Sequence, residues 1–85
     1  MRKVSISTQV EDFLRDLPPV PKHAVRLAIA HLAEGDANTR ALRDELSGYR
    51  RLAVGKYRVI YEEVAGGVEC VHAGTRKTVY QEFHR

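Results

Sequence analysis

At 85 residues the chain has room for one domain with a thin core, spanning residues 1–85, and none for a second. Hydrophobic residues at 44% and charged residues at 29% exclude a disordered chain. The 14 Lys and Arg against 11 Asp and Glu leave +3, a mild basic bias that suits an acidic protein or a nucleic acid as partner.

Cys70 is the sole cysteine, so an intrachain disulfide and a Cys-x-x-Cys metal or redox site are both excluded, as fits a reducing cytosol. MRKVSISTQVEDF has no apolar run of signal-peptide length, and no window approaches the roughly 20 apolar residues of a membrane span. A cytoplasmic protein without membrane contact is expected.

Lys3 to Ser7 alternates polar and apolar residues and predicts a short half-buried strand. Thr8-Gln9-Val10-Glu11 fits a capping box, and Val10, Phe13, Leu14 and Leu17 then form one apolar helical stripe that Pro18-Pro19 ends. Pro21 suits the first turn of a second helix, which Val25, Ala28, Ile29 and Leu32 carry to a stop at Gly35. Asp36 to Ser47 reads as a loop with one short helical turn.

From Tyr49 the period changes to two. Tyr49–Val54, a Gly55-Lys56 turn, Tyr57–Val64, an Ala65-Gly66-Gly67 turn and Val68–Thr75 predict a three-stranded antiparallel meander. With the N-terminal strand at an edge, the expectation is an α+β fold: a two-helix hairpin packed on one face of a four-stranded, mainly antiparallel sheet, the other face open. Alternation puts Leu52, Val54, Tyr57, Val59 and Tyr61 toward the helices, and Arg51, Ala53, Arg58, Ile60 and Glu62 on the open face. Arg50 shares the side of Leu52 and reads as a solvated charge at the strand's end. The bland alternative for Arg58 is an ion pair with Glu62 or Glu63.

Leu46-Ser47-Gly48 leading into RLAVGKYRVIY (residues 51–61), and GTRKTVY (residues 74–80), resemble the RelE/ParE toxin superfamily of type II toxin-antitoxin systems. In its RelE branch the resemblance implies a ribosome-dependent mRNA endonuclease that inhibits translation, without metal or cofactor, held silent by a cognate antitoxin in a hetero-oligomer. Its partners are then that antitoxin and the ribosome carrying mRNA in the decoding site. The resemblance assigns Arg58 and Arg76 to the scissile phosphate, Tyr80 to proton transfer or base stacking, and Arg51 to one of two basic strand positions. The other is occupied by Ala53, a departure from the pattern. Lys56 and Lys77 extend the RNA-binding set. His84 is a secondary acid or base candidate, because some related toxins use a histidine near the C-terminus.

The chemistry fits the residue types. Attack of a ribose 2′-hydroxyl on its own phosphate builds charge on nonbridging oxygens that fixed arginines stabilise. Arginine cannot act as a base, and a tyrosine, ordinarily near pKa ~10, needs cationic neighbours such as Arg76 and Lys77 to take part in proton transfer.

Other readings stay open. A ParE-like DNA gyrase inhibitor shares the tyrosine-arginine strand but needs no catalytic end. A weakened member that only binds antitoxin is suggested by Ala53. His23 and His31 lack the i, i+4 spacing of a zinc pair, His72 stands alone on a strand, and Cys70 reads as a small buried hydrophobe. Thr78–Phe83 fits a helix or a strand.

Overall fold

The computed structural model describes residues 2–35 and 38–83. Strand β1 (Lys3–Ile6) leads to helix α1 (Thr8–Arg15) and helix α2 (Pro19–His31), which tightens into a 3-10 turn over Leu32–Glu34. Strands β2 (Thr39–Ala41), β3 (Tyr49–Val54), β4 (Tyr57–Val64) and β5 (Gly67–Thr75) follow, and a one-turn helix α3 (Val79–Glu82) comes last. The sheet has five strands in the order β1-β5-β4-β3-β2, not the four expected. The added strand, β2, lies inside the stretch read as loop, and its three residues pair antiparallel with β3 from Thr39↔Leu52 to Ala41↔Arg50.

The N-cap of α1 is Ser7, one residue before the expected Thr8. Its hydroxyl oxygen accepts from the Val10 N–H at 3.2 Å. Glu11 therefore lies too far along for a capping box and faces Arg15 at 3.8 Å, an exposed i, i+4 pair. Pro19 occupies the first position of α2, where a missing N–H costs nothing. Gly35 follows the 3-10 turn at φ 75°, a left-handed stop that glycine adopts without strain.

Both helices lie on one face of the sheet. Val10, Leu14, Val25, Ile29 and Leu32 meet Leu52, Val59, Tyr61, Cys70 and Ala73 in a single core. Phe13 stands edge-on to Tyr57 with ring centroids 5.9 Å apart. Tyr57 and Tyr61 thus face the helices, as the alternation predicts.

Strand β1 runs parallel to β5 from Lys3↔Gly67 to Ile6↔Cys70 and then stops, which leaves the rest of β5 without a strand on the side away from β4. Side chains of the β1–α1 junction close that edge. The Ser7 hydroxyl donates to the Val71 carbonyl at 3.0 Å, and the Gln9 amide both donates to the Ala73 carbonyl and accepts from the Ala73 N–H, each at 2.8 Å. Gln9 imitates one rung of a missing strand and fixes α1 on the sheet. Replacing Gln9 with alanine removes both bonds. Unfolding free energy is expected to fall by about 2 kcal/mol, read from a urea titration, and an unchanged midpoint would show that water replaces the amide at no cost.

Candidate nucleic-acid interface

The β3–β4 turn sets the position of Arg58. Gly55 takes φ 57° in that turn, and the pairing of the two strands places Arg58 directly between Ala53 on β3 and Gly74 on β5. The Arg58 Nη1 donates to the carbonyls of Gly55 and Tyr57, both at 2.8 Å. The guanidinium is thereby folded against the turn with its remaining N–H groups left over. No ion pair with Glu62 or Glu63 forms, and Glu63 instead meets Arg2 at 3.5 Å.

The same turn collects other cations. The Arg76 N–H donates to the Lys56 carbonyl at 2.8 Å, which ties the exit of β5 to the hairpin. Lys56, Arg76 and Lys77 are exposed, and the Lys56 ammonium lies 5.5 Å from the centre of the Tyr57 ring. Gly74, the partner of Arg58, has Val79 of α3 directly over it, where an added Cβ would stand 3.4 Å from the valine. Tyr80 follows Val79 on α3 and is 40% exposed. The fold therefore draws Lys56, Arg58 and Arg76 to one end of the sheet, with the helix that carries Tyr80 seated on the neighbouring strand.

The rest of this face is not open as expected. Helix α3 and Phe83 cover it: Ile60 and Val79 are fully buried, and the Phe83 ring packs 5.1 Å from Tyr49 and 5.7 Å from His72. The His72 Nε2 stands 3.4 Å from a Glu82 carboxylate oxygen, so this histidine is part of the α3 contact and does not stand alone. A bulge in β5 between the pairs Ile60↔His72 and Tyr61↔Cys70 brings His72 to this face and leaves Cys70 in the core. Burial, with the nearby Glu69 charge, pushes the Cys70 thiol up to about 12, and so it stays a neutral hydrophobe.

Arg51 lies on the same face, paired with Ile60 on one side and Arg40 of β2 on the other. Its Nη1 is buried and makes no hydrogen bond among the described residues. Arg50 points the other way and is half-buried, a correction to its reading as a solvated charge. It donates to the Tyr61 hydroxyl at 3.2 Å and to the Thr39 hydroxyl at 3.3 Å, lining a cavity of about 160 Å³ with Arg2 and Glu63. That role needs β2, which the sequence pattern missed. None of Arg40, Arg51, Lys56, Arg58, Arg76 and Lys77 enters an ion pair among the described residues. No group of three or more His, Cys, Asp or Glu side chains that would hold a metal occurs among them either. His84 lies outside the described residues.

No sequence family and no curated protein matches the chain. Its architecture, in contrast, is shared with solved structures. A chain of the toxin-antitoxin complex RelBE2 from Mycobacterium tuberculosis is 25% identical with a TM-score of 0.75, over 88% of this chain and 98% of that one. A chain of the RelB-RelE antitoxin-toxin complex from Methanococcus jannaschii gives 0.73 at 17% identity, over 93% and 98%. A chain of the archaeal RelE-RelB complex from Pyrococcus horikoshii gives 0.61 at 21% identity, over 88% and 94%. By its fold the chain belongs to the RelE-like toxin superfamily.

Proposed function

We propose that the chain is the toxin of a type II toxin-antitoxin pair, acting in the cytoplasm as an endonuclease on mRNA held by the ribosome. The observation that carries this reading is that the β3–β4 turn and the exit of β5 bring Arg58 and Arg76 to one end of the sheet, with Lys56 at the same end beside the helix-facing Tyr57 ring, and that none of the three enters an ion pair among the described residues. Half-buried Arg58, pinned through Nη1, offers its other N–H groups in a fixed direction, as an anion-stabilising group requires. Exposed Arg76 adds a second charge.

In this mechanism the ribose 2′-oxygen attacks the adjacent phosphorus. The P–O5′ bond breaks, a 2′,3′-cyclic phosphate remains on one fragment, and the other leaves with a 5′-hydroxyl. Arg58 and Arg76 neutralise the nonbridging oxygens, Lys56, Lys77 and Arg51 hold the strand, and Tyr80 handles a proton. Tyr80→Phe keeps the ring and loses the hydroxyl. Its cleavage rate is expected to fall about 10²-fold in single-turnover measurements, and an unchanged rate would remove the phenol from proton transfer.

The complexes among the structural neighbours support a cognate antitoxin as partner. An apolar groove of about 260 Å³ between β1 and α2, lined by Val4, Ile6, Leu14 and Ile29, suits an apolar segment of that protein. The test is induced expression in a bacterial host: growth should stop with wild type and recover with Arg76→Ala, while purified gyrase keeps its supercoiling activity. Inhibition of gyrase by the purified chain would replace the endonuclease reading with the gyrase one.

A further inference from the structure

We infer that Arg40 and Arg51 form a second anion site on the cationic face, one that takes a phosphodiester of single-stranded RNA beside the scissile one. The inference rests on RNA being the substrate. Arg40 belongs to β2, a strand the sequence does not announce, and it is the direct cross-strand partner of Arg51. Like charges opposed in this way destabilise a sheet, because their Cβ atoms lie only about 5 Å apart. Neither has a carboxylate partner in any ion pair of the described residues.

The second observation is the orphaned donor. Arg51 Nη1 has lost its water and has gained no acceptor, which costs free energy in the unliganded protein. Nη1 is already out of solvent and is not itself offered to a ligand, but a monoanionic phosphodiester set between exposed Arg40 and the remaining N–H groups of half-buried Arg51 would offset the repulsion. It does so bidentately.

Placement favours a strand of RNA over an isolated anion. Along β3, Arg51 is two residues from Ala53, the partner of Arg58, a step of about 7 Å. That is of the order of the spacing between successive phosphates in an extended strand. On the far side Arg40 and Arg43 line an open concavity of about 730 Å³ along β2, through which the strand continues. Arg40 then assumes part of the holding role that Ala53 lacks.

The test uses purified chain, a short fluorescein-labelled single-stranded RNA and anisotropy across a salt series, with polyglutamate as a competing polyanion. Arg40→Gln is expected to weaken RNA binding about 3- to 10-fold at low salt and to reduce the steepness of the salt dependence by about one phosphate contact. It is also expected to raise the thermal midpoint, since it relieves the Arg40–Arg51 repulsion; a merely structural arginine would lower it. Unchanged affinity and slope in the variant, no RNA binding by wild type at low salt, or stronger binding of polyglutamate than of RNA would each overturn the inference. Wild type that binds RNA with this Arg40 dependence but cuts no message leaves the site standing and removes the endonuclease reading. Cleavage that Arg40→Gln leaves unchanged, with unchanged binding, does the reverse.

Discussion

Arg58→Ala is expected to lower the single-turnover rate of message cleavage by about 10²- to 10³-fold, the range seen when one preorganised donor to a developing oxyanion is removed. Stability should change little, because among the described residues the half-buried guanidinium bonds only to the Gly55 and Tyr57 carbonyls beside the hairpin turn. Arg58→Lys is the informative companion. It keeps the charge but has no fork with which to hold the Gly55 and Tyr57 carbonyls and a phosphate together, so its rate should fall between those of wild type and the alanine variant. Full activity in Arg58→Ala, with the fold confirmed by circular dichroism, would take Arg58 out of the reaction.

The second large effect concerns the fold. Gly67→Ala is expected to detach β1 from β5, because a Cβ at residue 67 would collide with the backbone carbonyl of Lys3, which has no flexible end to move aside. Gly67 pairs with Lys3 in the parallel ladder, and β1 supplies Val4 and Ile6 to the rim of the core. The loss should be about 3 kcal/mol, which for a domain of this size lowers the thermal midpoint by about 12 to 24 °C. Calorimetry on the purified variant decides it. A midpoint equal to wild type would mean that the two strands separate at residue 67 without consequence for the sheet.

The meander was readable because its signals are local. Gly55 and Gly66 adopt φ 57° and 82° at the turns, and the strands between them alternate in period two. The helices were readable for the same reason, with Val10 and Leu14 or Val25 and Ile29 at helical spacing and all four buried. Strand β2 was not. Thr-Arg-Ala carries no apolar alternation, and the strand exists because β3 offers it a free edge, with Leu42 N–H bonded to the Tyr49 carbonyl and Ala53 N–H to the Asn38 carbonyl, both at 3.0 Å.

The candidate site divides along the same line. Arg58 and Arg51 followed from alternation on strands, and their face is the one assigned. The cover over that face did not follow. Helix α3 has only four residues and no side-chain cap, so its place depends on the bare surface of Gly74 and on Phe83 reaching Tyr49 and His72. These are contacts between distant parts of the chain, which no local period records. Ile60 shows the result: alternation put it on an exposed face, and tertiary packing buries it completely.

Ribosome-dependent cleavage is decided by primer extension on one message in two forms, translated and with a disabled start codon. Cuts are expected on the translated message alone after induction of wild type, and on neither form with Arg76→Ala. Growth arrest without cuts on the translated message would contradict it.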